Sequence, residues 1–255
     1  VKMFNIKQEL EKIDDFVRKQ VKGAGFQQLV VGLSGGIDSA VTAAICTQAL
    51  GKKNVFALML PYKNSHPNSL KDAIVLAEQL GIEYRVVDIS PMIDAYFNKY
   101  EPKADKLRIG NLAARERMCV LYDHSSKLPA LVAGTGNRSE LLIGYCTQYG
   151  DNACAFEPLG HLYKTEVIRL ASYLDIPDEI INKTPSADLW ENQTDETEIG
   201  ISYKKLDAIL HFLCDLHMSD QEIVAAGNSI SEVKKVKKMI ENSEFKRKLP
   251  PILNR

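Results

Sequence analysis

Ser34-Gly35-Gly36-Ile37-Asp38-Ser39 lies between the apolar run Leu29–Leu33 and a segment in which Val41, Ala44, Ile45 and Ala49 recur at helical spacing, with Gly51 to close it. The run reads as a buried strand and the spacing as a helix, so the six residues make the turn from one to the other. Gly35 and Gly36 let the main chain turn tightly and come close to a ligand. The amides freed by that turn point outward at a helix N-terminus, and Ser34 and Ser39 add hydroxyls; together they form a cradle for a phosphate pair. Neither GxxxxGK(S/T) nor GxGxxG is present. Asp38 is the unexpected member, because a carboxylate repels phosphate. A hard cation between the two, Mg²⁺, removes that conflict.

Working outward, Val55–Leu60 is a second apolar strand, and Leu70, Ala73, Ile74, Ala77 and Leu80 mark a helix that Gly81 ends. Tyr84–Val87 is a shorter third strand and Ala130–Ala133 a fourth. Strands that are apolar throughout need cover on both faces, which predicts an α/β fold with a parallel sheet of right-handed βαβ units. Ile6–Val21 adds a helix ahead of the first strand. Between the third and fourth strands, Asn98–Lys106 is polar, contains Pro102 and reads as a surface loop; Leu112–Tyr122 follows as a helix carrying Arg115 and Arg117. Lys164–Leu174, Tyr203–Leu216 and Ser231–Ile240 read as helices, and Lys183–Gly200 as a polar loop beside the ligand edge. One domain is expected over residues 1–255.

The whole-chain balance excludes several classes. Lys plus Arg number 32 against 33 Asp plus Glu, so no global field favours nucleic acid. Cys46, Cys119, Cys146, Cys154 and Cys214 are odd in number and include no CxxC pair, which argues against a disulfide scaffold or a zinc site. No apolar run is long enough to cross a membrane and no signal-peptide pattern opens the chain, so the expected location is cytoplasmic. Lys234, Lys235, Lys237, Lys238, Lys246, Arg247 and Lys248 make the C-terminal end basic.

The hexapeptide is similar to the SGGxDS signature of the ATP pyrophosphatases with a modified P-loop, which implies cleavage of ATP between its α and β phosphates. Further along stand Gly110-Asn111-Leu112-Ala113-Ala114-Arg115, Gly134-Thr135-Gly136-Asn137-Arg138-Ser139-Glu140, Tyr149-Gly150-Asp151, Lys164-Thr165-Glu166 and Pro185-Ser186-Ala187-Asp188-Leu189. In that order they resemble the ammonia-dependent NAD synthetase family over nearly the whole chain.

The resemblance implies a Rossmann-like adenine nucleotide alpha hydrolase fold with appended C-terminal helices. It also implies a homodimer that amidates deamido-NAD with ammonia through an adenylated intermediate, releasing AMP and pyrophosphate. Ser34, Gly35, Gly36, Ile37, Asp38 and Ser39 would hold the ATP phosphates, Asp38 and Glu140 would ligate Mg²⁺, and Thr135, Lys164 and Ser186 would contact ATP. Arg115, Gln148, Phe245 and Lys246 fall at positions that face deamido-NAD. Asp38 and Lys164 are the expected catalytic groups, and Asp151 a candidate to take the proton from ammonia.

Three positions depart from the commonest pattern: Gln148, Ala155 and Phe245 stand where many members have Lys, Asp and His. The adenylation machinery is untouched by these changes, while dinucleotide anchoring is altered. With no cysteine in a nucleophile context and no length left for an amidotransferase domain, free or partner-supplied ammonia is expected. The rival reading is an XMP-amidating synthetase domain, in which motifs like the Pro185–Trp190 stretch recur. A non-catalytic nucleotide-binding module would not need both Asp38 and Glu140.

Overall fold

The sheet is built outward from β1 (Gln28–Gly32), whose three central residues are buried. It pairs in parallel with β2 (Val55–Met59), Leu29 opposite Val55, and with β4 (Ala130–Ala133), Leu29 opposite Leu131. β3 (Glu83–Val86) adds to β2, and the order is β3-β2-β1-β4, all parallel. The computed structural model describes residues 5–190 and 193–253. Because the chain builds from β1 to β3 in one direction and then returns for β4, the loops after β1 and β4 leave the sheet on either side of a crevice. Ligands of open α/β sheets bind at such a switch point.

Side-chain alternation splits the core in two. Leu29 and Val31 of β1 and Val55, Ala57 and Met59 of β2 face one cluster, with helices α1 (Ile6–Gly23), α2 (Ile37–Leu50), α3 (Pro67–Leu80) and α7 (Lys164–Tyr173). Val30 and Leu58 face the other, closed by α4 (Ser90–Tyr100) and α5 (Lys106–Lys127). Each fully buried aliphatic side chain of this kind contributes about 1.5–3 kcal/mol. α2 is buried on most sides because it lies between the sheet, α1 and α7.

The C-terminal part forms a third apolar cluster around Leu206, Ile209, Leu210 and Val236. It draws on α6 (Arg138–Ile143), α9 (Asp195–Ile199), α10 (Tyr203–Leu210) and α12 (Ile230–Asn242). The short helices α8 (Asp178–Ile181) and α11 (Asp220–Ala225) complete the chain.

Four local expectations are corrected. The polar loop before α5 shrinks to residues 101–105, because Ile93 and Phe97, four apart, bury one face of α4, which extends to Tyr100. β3 is an edge strand left largely exposed, so the cover expected on both faces of the strands does not extend to it. The segment 183–200 contains α9. The helix expected to run to Leu216 changes at His211–Asp215 to a wider turn. Among the described residues, no helix is long and apolar enough to cross a membrane.

Candidate active site

The loop after β1 is ordered by its own hydroxyls. The Ser34 amide donates to Ser39 Oγ at 3.2 Å, the Gly36 amide donates to Ser34 Oγ at 3.3 Å, and Ser39 Oγ donates to Gly36 O at 2.9 Å. Gly35 has φ +78°, and a Cβ there would collide with the main chain of Ser69, so only glycine fits. Gly36 is the N-cap of α2 and offers no side chain to its first turn. Ile37, the first residue of α2, is buried and anchors the turn to the core.

Across the crevice, Asn137 caps α6 by accepting the Glu140 amide at 3.0 Å, and its Nδ2 donates to Asp38 Oδ1 at 2.9 Å. Lys164, at the start of α7, donates to Asp38 Oδ2 at 2.5 Å and to Glu140 Oε1 at 3.0 Å. Its side chain is 3% exposed. Burial opposes charge on this ammonium, but the Asp38 and Glu140 carboxylates outweigh it and hold Lys164 above the usual lysine range. Burial raises the Glu140 carboxyl above the ordinary glutamate range, against the pull of Lys164. Tyr203 lies 5.0 Å below the Lys164 ammonium at its ring centre, and its hydroxyl donates to Glu140 Oε1 at 2.9 Å and Asp195 Oδ2 at 3.0 Å. Behind α7, Asp207 accepts from Ser139 Oγ and from the Thr165 amide, so α6, α7 and α10 are fixed relative to one another.

The candidate acceptor side lies where α5 meets residues 144–157. Arg115 Nε donates to Gln148 O at 3.2 Å. Asp151 is exposed as a residue, yet its carboxylate turns inward to accept the Thr147 amide at 2.7 Å, and burial holds it above the ordinary carboxylate range. Residues 155–156 run beside β4 through an Ala133–Phe156 bridge. That register puts Glu157 under the loop containing half-buried Thr135, where it accepts the Gly136 amide at 2.9 Å. Burial pushes the Glu157 carboxyl up to about 7.

Ser186 lies in the polar loop, its Oγ accepting the Asp188 amide at 3.1 Å. Asp188 in turn accepts the His66 amide at 3.0 Å, which fastens this loop to the N-cap of α3. At the C-terminal end, Lys246 donates to Gly144 O at 2.8 Å and Cys146 O at 2.6 Å. Its charge therefore braces the strand of chain leading to Gln148. Arg247 donates to Leu142 O at 2.5 Å and Ile240 O at 2.7 Å. Phe245 is exposed and lines an open cavity of about 400 Å³ with Gln148, Tyr149 and Pro250.

Asp38, Glu140 and Lys164 thus meet at one point, while Arg115, Gln148 and Asp151 gather at another. Asn137, Tyr203 and Glu157 were given no role from the sequence, and Asp195 was read only as the start of the acidic stretch Asp195–Gly200 in the polar loop. Asn137 had a visible signal, since it stands just before a short helix on the second edge loop. Tyr203 had none, because one partner, Glu140, lies 63 residues away, and Asp195, 8 residues away, is not at a spacing that announces a contact. Among the described residues no group of three or more His, Cys, Asp or Glu is placed to hold a metal ion by itself.

A model of NAD synthase matches residues 9–250. The chain belongs to the NAD synthase family. A relative named NH(3)-dependent NAD(+) synthetase, from Fusobacterium nucleatum subsp. nucleatum, is 48% identical over 248 residues, covering 97% of this chain and 96% of its own. Two solved members or neighbours of the family share the fold over their whole length. NH3-dependent NAD synthetase from Campylobacter jejuni aligns over 98% of this chain and 100% of its own, with TM-score 0.84 and 39% identity. NMN synthetase from Francisella tularensis aligns over 99% and 100%, with TM-score 0.88 and 33% identity. The NAD synthase assignment agrees with the parallel sheet and with the loop after β1.

Proposed function

We propose that this chain uses ATP to amidate deamido-NAD with ammonia, giving NAD, AMP and pyrophosphate. The observation that carries the reading is the convergence of Asp38, Glu140 and Lys164 beside the glycine loop at the switch point of the sheet. The relatives named NH(3)-dependent NAD(+) synthetase support both the acceptor and the nitrogen source.

A carboxylate is a poor acceptor for ammonia because oxide is a poor leaving group. Its oxygen first attacks the α-phosphorus of ATP, a P–O bond forms and the bond to pyrophosphate breaks. Ser34, Gly35, Gly36, Ile37 and Ser39 hold the phosphates through amides and hydroxyls, with Thr135 and Ser186 at the rim. Lys164 supplies the positive charge that faces the departing pyrophosphate. Ammonia then bonds to the acyl carbon, the bond to AMP breaks, and Asp151 takes the surplus proton. Its raised carboxyl pKa makes it a better match to that task than an ordinary aspartate. Arg115, with Gln148 and Phe245 around the second cluster, orients the dinucleotide, and Lys246 holds the chain leading to that cluster through Gly144 O and Cys146 O.

Asp38 and Glu140 fit Mg²⁺. Their oxygens already converge on one cationic centre, and two carboxylates completed by phosphate oxygens and water are a usual donor set for this ion. When bound it neutralises phosphate charge. We further propose a homodimer, supported by apolar side chains left exposed on one side of the sheet: Met92, Tyr96 and Tyr100 of α4 with Leu107 of α5.

A second reading of the acceptor is favoured by the likeness to the protein named NMN synthetase. Nicotinate mononucleotide presents the same carboxylate without the AMP half, and Gln148 and Ala155 remove charges beside the candidate acceptor site. A panel of deamido-NAD, nicotinate mononucleotide and XMP with ATP, Mg²⁺ and ammonia tests both readings, with AMP, pyrophosphate and amide counted. Deamido-NAD should yield NAD and AMP in equal amounts and XMP little product. Amidation of the mononucleotide alone would transfer the assignment to it, and amidation of XMP alone would reject both.

A further inference from the structure

We propose that Lys183 is a positioning residue for the nucleotide cradle, setting the Gly35–Gly36 peptide so that the Gly36 amide holds Ser34 Oγ, one of the hydroxyls assigned to the ATP phosphates. The proposal rests on the ATP-cleaving reading of the site. Lys183 follows α8 and opens the loop that carries Ser186. Its Nζ donates to Gly35 O at 3.3 Å, to Ser69 Oγ at 3.1 Å and to Asp72 Oδ2 at 2.9 Å. A trans peptide holds its C=O and the following N–H pointing in opposite directions. Anchoring Gly35 O on Lys183 therefore turns the Gly36 N–H the other way, toward Ser34 Oγ, the hydroxyl that also meets Ser39 Oγ at 3.1 Å.

The same junction fixes where the cradle stands. Ser69 and Asp72 belong to the N-terminal half of α3, and Gly35 packs directly on the Ser69 main chain. Glycine explores left-handed and extended backbone with equal ease. Two successive glycines thus leave the peptide between them free to flip unless something holds its oxygen. Side-chain exposure is 27% at Lys183 and 15% at Asp72, so this is a partly enclosed contact and not a solvated surface pair. Asp188 ties the far side of Ser186 to the His66 amide, also at α3. Lys183 thereby couples the loop carrying Ser186 to the peptide that holds Ser34 Oγ.

The test compares Lys183→Met, Lys183→Arg and Ser69→Ala with the parent chain. ATP affinity is measured calorimetrically without acceptor, and KM is measured for ATP and for deamido-NAD. Loss of the oriented amide should raise both Kd and KM for ATP about tenfold in Lys183→Met. The KM for deamido-NAD should stay within about twofold. Lys183→Arg should recover most of the ATP affinity, and Ser69→Ala should shift it less, in the same direction. If Lys183→Met does not fold, Lys183→Gln, one atom shorter, takes its place with the same expectation. Unchanged ATP affinity, or equal losses for both substrates, overturns the proposal while leaving the ATP reading standing. A parent chain that binds no ATP overturns both.

Discussion

Lys164 Nζ lies 2.5 Å from Asp38 Oδ2, although 126 residues separate the two in sequence. Glu140 shares the same ammonium, so one buried positive charge is set against two carboxylates beside a loop suited to phosphate. The excess negative charge is what the proposed Mg²⁺ would offset, and the ammonium is the charge proposed to face phosphate. Breaking a buried pair by removing one partner is costly because the other charge is left without compensation, about 3–5 kcal/mol where desolvation is complete.

Asp38→Asn keeps the volume and the bond from Asn137 but removes the charge. Turnover should fall by roughly two to three orders of magnitude, the scale for losing one preorganised electrostatic group. The circular dichroism spectrum should be unchanged. Parent-level turnover in this variant at ordinary Mg²⁺ would reject the metal and phosphate role of Asp38.

Lys164→Met should lose both activity and stability, the latter by about 2–4 kcal/mol. Asp38 and Glu140 are then left facing each other, and Mg²⁺ should raise the Tm of the variant more than that of the parent chain. A melting series with and without Mg²⁺ checks this. Equal Mg²⁺ effects on the two proteins would mean that the carboxylates do not form a cation site.

Glu157 makes stability depend on pH. Burial pushes its carboxyl up to about 7 from an ordinary 4.5. Below the lower value both folded and unfolded chains hold the proton, and nothing is lost. Between the two values the unfolded chain releases its proton while the folded chain keeps it, so stability falls as pH rises. Glu157→Gln removes this titration and keeps an oxygen for the Gly136 amide. Its stability advantage should grow from pH 5 to pH 8 and then level off, at about 1–3 kcal/mol. A pH-independent difference between the variant and the parent would show that the carboxylate is not desolvated.

The proposed homodimer predicts sedimentation at about twice the 28.5 kDa of the single chain at working concentration. Tyr96→Glu with Tyr100→Glu, which places charge on the exposed face of α4, should shift the protein toward monomer. A fully active species at the single-chain mass would remove the dimer from the account.

The glycine loop after β1 was legible because what shapes it is local. Two glycines, two hydroxyls and a helix N-terminus act within six consecutive residues, and the backbone chemistry follows from residue type. The sheet was legible because β1, β2 and β4 are apolar along their length, which only burial on two faces satisfies. β3 was found as a strand but not as an exposed edge, since Glu83-Tyr84-Arg85-Val86 does not announce its neighbours. α4 was not read as a helix at all, because Ile93 and Phe97 are a short signal beside a polar tail.

Residue types and their spacing therefore determined the α/β class, the position of the cradle and the need for cationic charge near Asp38. Tertiary structure decided which cation arrives and what holds it. Lys164, Tyr203 and Lys183 look like ordinary helix or loop residues in their own neighbourhoods. They acquire their partners only when the strand order β3-β2-β1-β4 and the packing of α6, α7 and α10 bring distant segments together. Lys246 and Arg247 read as a basic tail for an anion, yet carbonyls at the end of α6 take their hydrogen bonds. Helix C-termini leave such carbonyls unsatisfied wherever they fall, and only the folded chain brings a particular side chain to them.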